Sequence, residues 1–106
     1  AEYSDYFLDF AKVRERYDGG DIKEELRPKL RKIYGELLGA WGDGTPEHLH
    51  ERAQEIFAAN ESSMKESATP MRWALTGRKV SPGVFEVASQ LGKEETKKRL
   101  EFYGLV

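Results

Sequence analysis

The chain contains no cysteine, which excludes disulfides and thiolate metal sites and fits a reducing compartment. No apolar run approaches the ~18 residues that a membrane-spanning helix needs, and no export leader pattern is present. An excess of one charge is missing too. Seventeen Lys and Arg stand against 19 Asp and Glu, a net charge of −2, so no global field draws this protein to nucleic acid. Any such binding must rest on a local patch. Period-2 alternation of useful length is absent, which removes the half-buried strand. Gly-rich phosphate loops, nucleophile elbows and paired-carboxylate arrangements are absent as well, so no catalytic residues are expected. The two histidines, His48 and His50, lie two apart in a helical pattern and point to different faces, so no metal site is expected. The first residue is Ala1 rather than Met: either an initiator has been trimmed or the sequence is a piece of a longer protein.

What is present is an all-α pattern. The 106 residues are 39% apolar, 34% charged and 11% aromatic, enough for a modest core in one domain or in two small helical subdomains sharing a surface. Tyr3, Tyr6, Phe7, Phe10, Val13 and Tyr17 recur at helical spacing until Asp18-Gly19-Gly20-Asp21 stops them, with Asp21 able to cap the next helix. Ile22, Leu26, Leu30, Ile33, Tyr34, Leu37, Leu38 and Trp41 form the most regular stripe. Pro28 inside it should kink the helix or split off a short entry turn before a longer helix beginning near Arg27. Thr45-Pro46 opens a third helix, with Leu49, Ala53, Ile56 and Phe57 inward. The segment from Asn60 to Thr69 reads as a helical turn plus a connector. Pro70 is then expected to start a short helix that Gly77 stops, and Ser81-Pro82 to start another that Gly92 closes. A last helix should run from about Lys93 to Tyr103, with Glu94–Lys98 and Glu95–Arg99 as surface pairs worth ~0.3 kcal/mol each. About six helices are expected, with Tyr6, Phe10, Leu30, Ile33, Leu37, Leu49, Ile56, Leu75, Val87 and Leu91 in their interior.

The segment 70–92 carries the chemistry. Short helices cannot persist alone, because nucleation is costly. Held by neighbours, their amino termini would present free N–H groups beside Arg72, Arg78 and Lys79, a surface suited to an anionic partner. Arg72 beside Trp73 can donate in a planar fork or stack on a base. Phe85 reads as core. Arg27, Lys29, Arg31 and Lys32 spread over several faces and read as a solvated surface. Lys93, Lys97, Lys98 and Arg99 read as a mildly basic one.

The run Pro70-Met71-Arg72-Trp73-Ala74-Leu75-Thr76-Gly77, then Ser81-Pro82-Gly83-Val84-Phe85-Glu86 and Leu91-Gly92-Lys93-Glu94, resembles the carboxyl end of bacterial-type glutamyl-tRNA synthetases. It matches in one register without a gap. The resemblance implies an anticodon-binding, all-helical region, with residues 1–65 as its first helical subdomain and 66–106 as its second. It also implies recognition of the tRNA(Glu) anticodon loop by Arg72, Thr69, Ser81, Pro82 and Val84, with Arg78 and Lys79 on the RNA backbone. At Val84 the family commonly has Leu. No cofactor is implied in this region. ATP and Mg²⁺, and the ligation of glutamate, belong to the parent enzyme, a cytoplasmic protein, and a monomer is expected. Ser63-Met64-Lys65-Glu66-Ser67 superficially resembles a synthetase ATP loop but lacks its full pattern. Two other readings remain: a helical protein–protein interaction domain docking through Tyr3, Tyr6, Trp41 or Tyr103, and a paralogue that has lost tRNA binding.

Overall fold

The structure is a computed structural model that describes residues 9–15, 17, 22–77 and 83–106. Its helices are α1 (Phe10–Glu15), α2 (Arg27–Gly39), α3 (Pro46–Ala59), α4 (Met64–Thr76) and α5 (Val84–Phe102), with a 3-10 turn at Glu24–Leu26 leading into α2. At Gly92 the backbone leaves the helical region (φ 87°, ψ 165°), so α5 is two helices in line, broken where glycine was expected to close the first. No strand occurs among the described residues.

Local chemistry accounts for most boundaries. Pro28 stands in the first turn of α2, where its missing N–H costs nothing, and the preceding residues tighten into the 3-10 turn. Thr45 caps α3 by accepting from the His48 amide at 3.3 Å, and Pro46 opens the helix. Gly77 ends α4 in the left-handed conformation (φ 71°); a Cβ there would stand 2.7 Å from the Val13 carbonyl oxygen.

One boundary differs from expectation. Pro70 does not begin a helix; it lies buried inside α4, which starts at Met64. The earlier start comes from a capping box: Ser63 Oγ accepts from the Glu66 amide at 3.0 Å, and Glu66 Oε1 accepts from the Ser63 amide at 3.4 Å. An internal proline removes one ladder bond and crowds the preceding turn. Tyr34 of α2 supports that weakened stretch. Its fully buried hydroxyl donates to the Ser67 carbonyl and also contacts the Met71 backbone, the two ends of one helical hydrogen bond. Burial pushes the Tyr34 phenol well above the ordinary tyrosine range.

The core is one cluster drawn from α1 to α5. Val13, Ile33, Tyr34, Leu37, Leu49, Phe57, Met71, Leu75, Val87 and Leu100 are all sealed from solvent. Burying each large apolar side chain contributes roughly 1.5–3 kcal/mol. Of the interior residues expected from periodicity, Leu30, Ile33, Leu37, Leu49, Leu75 and Val87 are buried, while Phe10, Ile56 and Leu91 pack half-buried against them. Tyr6 lies outside the described residues. The boundary drawn between residues 65 and 66 falls in the first turn of α4.

Arg99 corrects a second expectation. It is not a surface cation: it is wholly buried, with Nη1 donating to the Leu75 carbonyl and Nε to Glu95 Oε2, both at 2.8 Å. The guanidinium lies 4.8 Å from the Phe10 ring centroid. It satisfies a carbonyl of the last turn of α4, where helix geometry leaves none of its own donors available and the dipole favours positive charge.

Candidate nucleic-acid interface

Thr69 and Arg72 sit one turn apart on α4, so they share a helix face. Both are half-buried. Arg72 makes no hydrogen bond or ion pair among the described residues, and its Nε is shielded from solvent without an acceptor. The adjacent Trp73 Nε1 is shielded and unpartnered as well. Buried polar groups in folded proteins almost always find partners, so two neighbouring donors without acceptors set this face apart. The Thr76 hydroxyl donates back to the Arg72 carbonyl at 2.8 Å, holding the last turn of the helix.

The remaining residues expected at the site are placed differently. Arg78, Lys79, Ser81 and Pro82 lie outside the described residues. Val84 is the first residue of α5, but its side chain is 4% exposed and belongs to the core, so only its backbone can meet a ligand. Phe85 is core, as read from the sequence, and its ring meets the edge of His50 at 5.4 Å.

Helix termini contribute less than the sequence suggested. The α4 amides are capped by Ser63, far from Pro70. At α5 the N-cap is Gly83, without a side-chain cap, and the Glu86 carboxylate closes over it: Oε1 stands 2.6 Å from where a Gly83 Cβ would be. An acid in the first turn answers the helix dipole from within. The adjacent cavity of about 400 Å³, between Pro46, Glu47, His50, Gly83, Phe85 and Glu86, therefore presents two carboxylates, the wrong sign for phosphate.

The cations of α2 hold the fold together. Arg27 donates to the Tyr103 carbonyl and pairs with Glu24 at 2.8 Å; Arg31 Nε donates to the Gly104 carbonyl at 3.1 Å. Lys29 reaches the Glu61 carbonyl, and Lys32 reaches Asn60 Oδ1 at 2.7 Å and Glu36 at 3.1 Å. Those bonds tie the carboxyl-terminal turn and the α3–α4 connection to α2. The solvated face read from the sequence is thus also a set of staples. His48 Nε2 lies 3.3 Å from the Ala40 carbonyl, and no cluster able to hold a metal occurs among the described residues. Ser63–Ser67 is simply the capped first turn of α4. No described helix is long and apolar enough to cross a membrane.

A family described as "Anticodon binding domain" matches residues 1–103. The chain belongs to that family. Among curated relatives, it is 35% identical over 99 residues to the glutamate–tRNA ligase of Thermodesulfovibrio yellowstonii, covering 90% of this chain and 20% of that one. It is 38% identical over 89 residues to the glutamate–tRNA ligase of Geotalea uraniireducens, covering 80% and 19%. To glutamate–tRNA ligase 2 of Rickettsia akari it is 32% identical over 108 residues, covering 92% and 23%. The chain thus spans about a fifth of the length of these relatives. No solved structure matches it.

The α4 face also holds residues that sequence reasoning passed over. Trp73, Pro70 and Thr69 line an open groove completed by Ile22 and Leu26 from the segment before α2. The available signal was the Ser63-x-x-Glu66 pattern: a capping box there extends α4 upstream and puts Lys65, Thr69 and Arg72 on one surface.

Proposed function

We propose that this anticodon-binding domain recognises the unpaired bases of the tRNA(Glu) anticodon loop, as part of a glutamate–tRNA ligase. The observation that carries the reading is Arg72: a half-buried guanidinium on α4 that no carboxylate neutralises and whose Nε has no acceptor. A planar fork of donors matches the edge of a base, and unpaired loops are where proteins read RNA sequence. Thr69 one turn away supplies a hydroxyl to the same face. Ser81, Pro82 and the Val84 backbone complete the base contacts, while Arg78 and Lys79 meet phosphates and position the loop. The ligation itself, with ATP and Mg²⁺, takes place outside this region, in a cytoplasmic enzyme that acts as a monomer.

The test compares binding of a cognate anticodon stem-loop with one carrying altered anticodon bases, at matched salt. Arg72→Lys keeps the charge and loses the fork, so discrimination between the loops should fall by roughly 1–3 kcal/mol. Arg78→Ala or Lys79→Ala should weaken both loops alike and lower the salt slope by about one. If Arg72→Lys weakens both loops equally, or neither, Arg72 does not read a base.

A further inference from the structure

The groove beside Arg72 has a volume of about 340 Å³ and is open to solvent. That is near the lower end of small-molecule sites, ~300–1,000 Å³, and suits one compact group rather than a folded partner. Ile22, Leu26, Pro70 and Trp73 supply apolar walls. Leu26 is 41% exposed, one of two large apolar side chains left open to water among the described residues. Lys23 and Lys65 add positive charge at the lining. The carboxylate there, Glu66, is engaged by the Ser63 amide at 3.4 Å and by the Ser62 hydroxyl at 3.3 Å, which leaves the lysines as its uncompensated charge. Trp73 lines the groove with an indole N–H that has no acceptor.

An occupant that fits must therefore be flat and apolar on its faces, carry hydrogen-bond acceptors at its edge, and bear negative charge. A nucleotide has all three. We infer that the groove between Leu26 and Trp73 holds one unpaired nucleotide of the bound RNA. Its base stacks between the indole and Leu26, and a base acceptor takes the Trp73 N–H once the indole turns toward it. Its phosphate is met by Lys23 and Lys65. This rests on the RNA-loop reading of Arg72 and extends it along α4, with Thr69 lying between the two contacts on the same helix face.

The test uses the full chain and an anticodon stem-loop RNA, together with a set in which each loop nucleotide in turn is abasic. Leu26→Glu, at an exposed position that the fold tolerates, should weaken the intact loop by tenfold or more, since one stacked base is worth ~1–3 kcal/mol or about 5- to 150-fold. Trp73→Phe keeps the ring and removes the N–H; it should weaken the intact loop about fivefold and leave the affinity for one particular abasic loop unchanged. Arg72→Ala serves as the internal reference. If Arg72→Ala weakens binding while Leu26→Glu and Trp73→Phe leave it within twofold, the groove is not a nucleotide site and the Arg72 reading stands. If the unaltered chain has no affinity for the stem-loop, both fall. Should sedimentation show a dimer that Leu26→Glu dissociates with RNA affinity unchanged, a second copy fills the groove and the inference is overturned.

Discussion

The carboxyl end of α4 and its outer face each carry an arginine, and the two are treated in opposite ways. At the carboxyl end, Arg99 reaches in from α5, wholly buried, and spends its donors on the Leu75 carbonyl and the Glu95 carboxylate. On the outer face, Arg72 is half-buried, unpaired, and adjacent to a tryptophan N–H in the same condition. A guanidinium without partners is expensive to shield from water, whereas one with several partners can sit in a core. The difference separates a cation that builds the fold from one kept for something the fold does not contain.

The largest effect that would break this contrast is in stability. Arg99→Ala strips a donor from the end of α4 and leaves a hole beneath Phe10, which should cost about 3–5 kcal/mol. Urea denaturation should show a lower midpoint at unchanged slope. A cost below ~1 kcal/mol would place Arg99 with ordinary surface pairs, the value its i,i+4 spacing to Glu95 suggests.

That spacing also shows how far the sequence could be read. Glu95–Arg99 has the commonest surface pattern there is, and nothing within the helix says that the end of α4 docks over it. The burial of Arg99 is a tertiary fact. Pro70 misleads for a related reason. Its local preference is for the first turn of a helix, and what overrides it is a capping box upstream and a tyrosine hydroxyl from α2. The stripes of α2 and α3, by contrast, are periodic enough to declare their inner faces, and Thr45-Pro46, Gly77 and Gly92 punctuate the chain where expected. At the site, residue types pointed to Arg72 and Thr69. The groove beside them needs Leu26 and Trp73 brought together from separate segments, which no local pattern contains.

An intermediate effect probes the support beneath that face. Tyr34→Phe removes the hydroxyl that holds the Ser67 carbonyl beside Pro70, which should cost roughly 1–3 kcal/mol at neutral pH by leaving a buried acceptor unmet. Alkaline pH gives an independent reading. Burial raises the Tyr34 pKa in the folded state, so its contribution is complete below the unfolded value near 10. Above that pH the unfolded chain releases the proton and the folded chain retains it, so stability should fall by about 1.4 kcal/mol per pH unit. Tyr103, raised chiefly by burial and held back by Arg14 and Arg99, adds loss in the same direction. In Tyr34→Phe the alkaline decline should be shallower but present. An unchanged decline would mean that Tyr34 ionises as freely folded as unfolded, and that its hydroxyl does not hold α4.

The smallest effect sharpens the comparison most. Arg72→Ala removes a long side chain from a half-buried position, losing some stem packing along α4. It also removes a shielded Nε that has no acceptor, which relieves a cost the folded state carries. The two terms oppose each other, so stability should move by no more than about 0.5 kcal/mol, the range of ordinary surface substitutions. Affinity for the anticodon stem-loop should fall in the same protein by at least tenfold, or ~1.4 kcal/mol. Arg99→Ala should show the reverse pattern: a large loss of stability and, at temperatures where the variant remains folded, nearly intact binding. If Arg72→Ala instead destabilises the fold by more than ~2 kcal/mol, its guanidinium is a structural part like that of Arg99, and the outer face of α4 has no cation to offer an RNA base.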